Sequence, residues 1–532
     1  MIRPEVVQQL TCPAFGLATS WIISRKGVPV ESLQEIESQF RRELWPFPAR
    51  VSKKDNYLAK SLREKANECY KSEPSESDKV LRLYNESISC ATPGSDEISM
   101  GYANRSAIYF NQKNYRRCVR NIELAKRNNY PQSKMAKLIE RENKCKEFLQ
   151  EFVDNNEVKE KIGDADLSKL QLIDNPQYGR GIATKTDLNV GNIFFSELPC
   201  LIVLEPDAMF SRCNYCGREN EKDLIPCDSC CSSMYCSEEC KEKALMSYHR
   251  FECKIAEKLK HLFKGPKSTR MFHLALRLFW MILSNFSTNP VSFRQHLNEK
   301  FKNFRNPFLL ESEKIPFHIL SVDQPDMSKD RTGEGIMQFI SVLMYKIVIE
   351  ENDSTRNSLL EEDHSCLLEI LHGLVLRAKN ISDQSGDDMT CLYPLLRMVN
   401  HSCAPNAERF MINGTSILVA KRPIKVGEQI LISYIPNCTV ETKEKDKRKA
   451  MLQKEFNFDC QCSGCSLDYP ILSAVEEDRK LKDELNSIMS RDEDRLNSLE
   501  DFIQRHDGRY PNKELAGAWK AYRNEKIKDM SS

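Results

Sequence analysis

Between Cys213 and Cys253 the chain carries eight metal-type ligands in four pairs: Cys213-x2-Cys216, Cys227-x2-Cys230, Cys236-x3-Cys240 and His249-x3-Cys253. Closely spaced thiolates and an imidazole suit tetrahedral Zn²⁺, which has no redox chemistry and accepts sulfur and nitrogen donors. Eight ligands make two such sites, and each Cys-x2-Cys pair can fold a tight knuckle around one ion. The competing assignment, a disulfide framework, normally comes with a signal peptide and a short secreted domain. The opening MIRPEVVQQL has no apolar core, so no signal peptide is expected. With 21 Cys and no export signal, metal-bound thiolates in a reducing compartment are the expectation. Cys231, beside Cys230, is a bystander.

A chain of 532 residues has room for about two to four domains, each with its own core. The net charge of +1 carries no global signature of polyanion binding. The longest apolar stretch, His273 to Ser284, contains Arg277 and is too short to span a bilayer.

A second cysteine cluster, Cys460-x-Cys462-x2-Cys465, supplies three ligands and needs a fourth from elsewhere. The strongest candidate is Cys403, in the segment Val399-Asn400-His401-Ser402-Cys403-Ala404-Pro405-Asn406. Downstream of it runs Gly427-Glu428-Gln429-Ile430-Leu431-Ile432-Ser433-Tyr434. Ahead of the eight-ligand run, Gln177-Tyr178-Gly179-Arg180-Gly181 reads as a flexible turn. Ile193-Phe194-Phe195 and Cys200 to Leu204 have the β-branched and aromatic bias of strands. From Lys254 to Asp388 the patterning is mainly helical, with loops expected at 303–333.

These motifs resemble known ones. The eight-ligand run resembles the MYND zinc finger, NHSCxPN the core motif of the SET-domain lysine methyltransferases, and the cysteine triplet their post-SET motif. Together they resemble the SET and MYND domain-containing protein-lysine methyltransferases. The resemblance implies interleaved finger ligands: Cys213, Cys216, Cys236 and Cys240 on one ion, Cys227, Cys230, His249 and Cys253 on the other. It implies a third zinc on Cys403, Cys460, Cys462 and Cys465, and S-adenosylmethionine held by Gly179, Arg180, Gly181, Asn380, Asn400, His401, Tyr434 and Phe458. Tyr434 would be the catalytic tyrosine that orients the amine, and Phe458 would cover the adenine. Two positions depart from the family pattern. Phe456 stands where relatives carry a second tyrosine, and Arg397 replaces a small polar residue.

Methyl transfer from a sulfonium to a lysine amine is an in-line displacement. It asks for alignment and desolvation, not an acid–base dyad. No Ser-His-Asp or Cys-His nucleophile set stands out in the sequence.

Residues 57–150 show helical periods recurring at roughly 34 residues, the tetratricopeptide period. Arg63 and Asn67 are four apart and share a helix face, as do Lys137 and Arg141, with Asn104 between the two pairs. The set resembles the clamp by which some tetratricopeptide domains hold the acidic C-terminal tail of heat-shock chaperones. The alternative is solvated surface charge. The repeats ahead of the SET domain resemble the repeat-bearing branch of the family.

The expected fold is a multidomain α+β chain. It comprises an N-terminal helical segment (1–56), α-helical tetratricopeptide-like repeats (57–150), the first part of a split β-rich SET domain (165–210) and the MYND finger (213–253). A helical SET insert (254–388), the SET catalytic core (389–436), a post-SET zinc site (437–466) and a short helical C-terminal tail (467–532) follow. A tail that short would leave the substrate cleft open or have it covered by the repeats. The leading expectation is a methyltransferase of histone or non-histone lysines, in cytoplasm and nucleus, with a protein-docking arm. The alternative is a zinc-stapled adaptor, since related MYND fingers bind proline-containing peptides. Direct nucleic-acid binding is least favoured, for want of a basic stripe.

Overall fold

The computed structural model describes residues 53–151, 167–176, 178–219, 222–262, 267–286, 331–350, 361–381, 388–412, 414–456, 458–490 and 494–531. The helical segment expected at 1–56 lies outside the described residues, save 53–56. So does the loop expected at 303–333, whose last three residues open a helix instead. The chain divides into two compact units, taken in turn.

The first unit begins with five helices: α1 (Asn56–Ser72), α2 (Ser77–Cys90), α3 (Asp96–Asn111), α4 (Tyr115–Arg127) and α5 (Met135–Glu151). Three of their starts follow from polar caps. The side chains of Asp55, Ser95 and Asn114 accept the first free N–H groups of α1, α3 and α4. Each helix packs on the next in sequence. Small residues permit the close approach. Ala59, Ala66 and Ala125 are fully buried, and a Cβ at Gly101 would stand 2.7 Å from Ile88 Cγ1.

This helical stack is bolted to the cysteine-rich finger by a buried polar cluster. Arg105 and Asp223 are both fully buried and meet at 3.1 Å. Asp223 also accepts from Arg120 at 2.7 Å and Asn121 at 2.8 Å. Asn85 donates to the Phe210 and Lys222 carbonyls at 2.8 and 2.7 Å. Taking an ion pair out of water is tolerable only with further hydrogen bonds of this kind. The helices are therefore part of the finger's packing and not a separate appendage.

Three longer helices follow the finger: α6 (Lys267–Phe286), α7 (Arg331–Glu350) and α8 (Glu361–Ile381). Leu274, Leu276, Leu278, Phe279, Trp280 and Ile282 of α6 are all fully buried, so apolar residues surround it on several faces. Among the described residues no helix is long and apolar enough to cross a membrane. A buried antiparallel pair, Leu201–Leu204 with Met389–Leu392, completes the unit.

The second unit holds the antiparallel hairpin β1 (Leu170–Asn175) and β2 (Gly179–Thr184). It also holds β3 (Ile193–Glu197), β4 (Asn400–His401), β5 (Ala407–Ile412), β6 (Thr415–Ala420) and β7 (Leu431–Ile432). Strands β3, β6 and β5 form an antiparallel sheet in that order. Strands β4 and β7 pair in parallel, Leu431 opposite Asn400 and Ile432 opposite His401. The chain ahead of β7 also pairs with β2: Ile430 N–H donates to the Ile182 carbonyl at 2.8 Å. The helix α9 (Lys445–Phe456) follows.

The C-terminal tail forms three further helices, α10 (Arg479–Met489), α11 (Arg495–His506) and α12 (Lys513–Ser531). They share one core with the sheet: Phe410, Ile412, Ile417 and Val419 cluster with Leu481, Leu499, Phe502, Trp519 and Tyr522. Arg422 pairs with Asp507 at 2.6 Å. The tail thus buries one face of the β3–β6–β5 sheet, where two-residue periodicity leaves an apolar side to cover.

Replacing Asp223 by alanine leaves Arg105 charged and buried without its partner. We expect a loss of about 3–5 kcal/mol, read as a lowered midpoint in chemical denaturation. Asp228→Ala, which removes only an exposed partner of Lys241, is expected to cost less than about 1 kcal/mol.

Candidate metal centres and active site

Three groups of ligands converge, each with its donor atoms within 4.8 Å of one another: Cys213, Cys216, Cys236 and Cys240; Cys227, Cys230, His249 and Cys253; Cys403, Cys460, Cys462 and Cys465. These sulfur and nitrogen donors are the ones tetrahedral Zn²⁺ takes, so each group could hold it. The two finger groups interleave. Gly217 makes the first knuckle possible: its φ is +74°, and a Cβ there would lie 2.9 Å from Met389 Sδ. Cys231 stands outside both groups and approaches the Lys53 carbonyl at 3.4 Å.

The second finger group has an outer shell reaching into α6. Glu252 lies 4.0 Å from His249 Nδ1, on the opposite side of the ring from Nε2, which approaches Cys227 Sγ at 3.3 Å. Arg277 holds Glu252 through Nε and Nη2 at 2.8–3.2 Å, and His273 meets it at 2.6 Å. Burial alone would raise the Glu252 pKa, but Arg277 and His273 hold it well below the usual carboxylate range. At 4.0 Å the Glu252 carboxylate faces Nδ1 without a direct hydrogen bond and places a negative charge behind the candidate ligand His249.

The third group joins the NHSC segment to the post-SET triplet. Cys403 Sγ lies 4.0 Å from Cys460 Sγ and 3.7 Å from Cys465 Sγ, and its N–H donates to Cys462 Sγ at 3.2 Å. Arg448, fully buried, places Nη2 3.0 Å from the Gly464 carbonyl and 4.0 Å from Cys465 Sγ. A guanidinium here offsets part of the charge of four thiolates.

Beside this cluster the sequence-predicted site residues come together. Asn400 donates its amide to the Arg180 carbonyl at 2.9 Å, tying β4 to the Gly-x-Gly hairpin. A Cβ on Gly181 would fall 2.7 Å from Asn400 Nδ2 and 2.1 Å from Gln429 Nε2, so a larger residue there would displace both amides. Gly179 sits at φ +70°, at the exposed entry to β2. His401 is 3% exposed, and both its nitrogens are engaged. Nδ1 accepts the Tyr434 N–H at 3.0 Å, which leaves the proton on Nε2, 3.4 Å from Cys403 Sγ. Burial pushes its pKa down to about 4, so the ring is neutral. Tyr434 donates its hydroxyl to the Val399 carbonyl at 3.0 Å, and burial pushes its pKa up to about 12.

Phe456 and Phe458 flank Tyr434, with ring centroids 5.1 and 6.4 Å away, and Phe458 lies 6.0 Å from His401. Asn380 falls in α8, in the other unit, and its side chain lies outside the described residues.

Two residues of this arrangement carry no assigned role in the sequence reading. Asn406 donates to the Gln429 carbonyl at 2.9 Å and accepts the Leu431 N–H at 2.8 Å, locking the NHSC segment to β7. Its signal was its place as the last residue of NHSCxPN. Gln429 is 7% exposed, yet neither end of its amide has a partner among the described residues. Nothing in its local sequence marks it.

Four of the five clamp residues are engaged with neighbouring helices of the stack. Arg63 pairs with Glu97 at 2.9 Å, Asn104 donates to Asn67 at 2.9 Å, and Arg141 donates to the Ala103 carbonyl and the Ser106 hydroxyl at 3.0 and 2.7 Å. Lys137 is exposed.

Comparison with known proteins agrees with this geometry. The SET domain family matches residues 179–435. A histone-lysine N-methyltransferase of Arabidopsis thaliana, ASHR1, is 27% identical over 55% of this chain and 54% of its own. Human histone-lysine N-methyltransferase SMYD3 is 24% identical over 56% of this chain and 61% of its own. Zebrafish (Danio rerio) protein-lysine N-methyltransferase SMYD4 is 21% identical over 78% of this chain and 66% of its own. The chain thus contains a SET domain. The relatives it resembles are SET-domain lysine methyltransferases, and the chain spans 54% and 61% of the length of ASHR1 and SMYD3.

Cys403→Ser is expected to lower bound zinc by one equivalent in elemental analysis while leaving the finger's zinc in place. Glu252→Gln is expected to weaken finger zinc about 10–100-fold in chelator competition.

Proposed function

We propose that the protein is an S-adenosylmethionine-dependent protein-lysine N-methyltransferase, with three structural zinc ions and a tetratricopeptide-like arm. One observation carries the reading: Gly181, Asn400, Gln429 and Tyr434 converge where β2, β4 and β7 meet. The relatives' names, histone-lysine and protein-lysine methyltransferases, support the same substrate class.

The site fits the cofactor on its own chemistry. The Gln429 amide is buried with both ends unpartnered, and an orphaned amide beside a glycine-lined turn suits a polar ligand. On this reading the Gly179–Gly181 backbone, Asn400 and Phe458 hold the cofactor, which supplies an activated methyl group. The backbone of His401 completes the proposed set within this unit.

The chain's own residues then have geometric tasks. The Tyr434 hydroxyl spends its proton on the Val399 carbonyl, so its lone pairs face outward to accept an N–H of the incoming amine. With a pKa pushed up to about 12 it stays protonated across the working range. Neutral His401 is occupied on both nitrogens and serves as a strut, not as a base. The aromatic rings of Tyr434 and Phe458 limit water at the site and favour entry of an uncharged amine, with Phe456, an exposed ring, at the edge.

Calorimetry should detect S-adenosylmethionine binding to wild type and none to Asn400→Ala. Radiolabelled methyl transfer to cell extract should fall at least about tenfold in Tyr434→Phe, equivalent to about 1.4 kcal/mol of barrier. Cofactor binding with no labelled protein would favour the adaptor reading, in which finger and helices bind partners without turnover.

The chaperone-tail clamp belongs to the same proposal and needs Arg63 to leave Glu97 for a peptide carboxylate. An acidic chaperone-tail peptide is expected to bind wild type in fluorescence anisotropy and to lose affinity for Lys137→Ala. Equal affinity for the two would end that assignment.

A further inference from the structure

Glu197 ends β3, and the proposed transfer chemistry gives it no part. Its carboxylate accepts from two consecutive backbone N–H groups, Leu395 at 2.9 Å and Leu396 at 2.8 Å, one to each oxygen. Those amides open the short 3₁₀ turn Leu396–Met398. The next residue, Val399, offers the carbonyl that takes the Tyr434 hydroxyl, and Asn400 and His401 follow as β4. A carboxylate spanning two successive N–H groups fixes the rotation of both peptide planes with charge-assisted bonds. We propose that Glu197 is a positioning residue: ionised, it clamps the 395–398 turn and so aims the Val399 carbonyl, the Tyr434 hydroxyl and the Asn400 amide. The inference rests on the methyl-transfer reading for what those groups do, but not for the clamp itself.

The surroundings of Glu197 make the clamp sensitive to protonation. Ser416 on β6 lies opposite Glu197 in the sheet and accepts from Arg409 of β5 at 2.8 Å. Arg409 also stands 5.1 Å from the Tyr393 ring, and Arg397 lies within the clamped turn. Burial pushes the Glu197 pKa up to about 7, against the two N–H bonds and Arg409, which pull it down. Protonation turns one charged acceptor oxygen into a neutral hydroxyl, a weaker acceptor for the N–H that points at it, so the clamp weakens as pH falls through neutrality. Glu197→Gln weakens the clamp at every pH, because its NH₂ has no lone pair for the N–H it faces.

The test measures two quantities at pH 6 and pH 8: S-adenosylhomocysteine affinity by calorimetry, and amide exchange of residues 395–399 by mass spectrometry, corrected for intrinsic rate. Wild type is expected to bind about tenfold tighter at pH 8, the worth of one charged hydrogen bond, with slower exchange. Glu197→Gln is expected to show the weaker affinity and faster exchange at both values, and Glu197→Asp to restore part of the pH response. A Glu197→Gln protein that melts like wild type and keeps the wild-type pH response overturns the proposal. So does a wild type whose exchange at 395–399 is the same at both pH values, which needs no variant. Should wild type bind no cofactor, the methyl-transfer reading falls and the exchange measurement alone decides the clamp.

Discussion

Cys403 is the residue on which the second unit depends. It belongs to the third candidate ligand cluster, yet it sits two residues from His401 and three from Asn400 in the segment that builds the candidate active site. Its partners Cys460, Cys462 and Cys465 lie 57 to 62 residues downstream. Closing a loop of that length costs chain entropy, and a tetrahedral ion on the four thiols would supply the compensating bonds. The closure draws in more than the metal ligands. The Cys403 carbonyl accepts from Val440 at 2.8 Å, and His401 spans from Cys403 Sγ to the Tyr434 backbone. The metal cluster and the tyrosine are thus two ends of one hydrogen-bonded strut, and disturbance at either end reaches the other.

A second layer of specification comes from buried charge. Arg105 with Asp223, and Arg277 with Glu252, each place an ion pair where water is excluded, and each surrounds it with further donors. Apolar residues of the same volume could fill such positions with similar stability. What the pairs add is register: Asp223 accepts only if α3 and α4 present Arg105, Arg120 and Asn121 together. In the same way Arg277 fixes α6 to the carboxylate behind His249, coupling the insert to a zinc ligand.

What was legible in the sequence divides along physical lines. Metal ligands are legible because coordination geometry restricts both residue type and spacing, so the clusters could be listed before any fold was known. Three thiolates ask for a fourth, and the NHSC motif, through its resemblance to the SET core, pointed to Cys403. The helices over 57–127 were legible from periodicity, whereas the polar caps Asp55 and Ser95 that start two of them emerged only with the structure. Glu197, Asp223 and Gln429 were not. Each acts through partners set by topology: Asp223 meets Arg105 across 118 residues, and Glu197 meets Leu395 across 198. No local pattern distinguishes such a carboxylate from a solvated one. The C-terminal tail shows the same limit. Its helices were expected, but the sheet face that they bury follows from the pairing of β3, β6 and β5.

The protonation states at the site point to chemistry that depends on geometry more than on proton transfer. A neutral imidazole with both nitrogens engaged cannot shuttle a proton without breaking the strut. A phenol with a pKa near 12 is a poor base. What remains are oriented oxygens, the Tyr434 hydroxyl and the carbonyl that it binds, beside aromatic walls. Such a site accelerates a reaction by holding two partners in line, worth several kcal/mol when the reacting atoms are already close. Phe456 sharpens the point. Its ring stands 5.1 Å from Tyr434 and brings no hydroxyl of its own, so on the proposed reading the aim of Tyr434 carries most of the alignment. That aim is set by Val399, whose carbonyl direction follows from the turn before it.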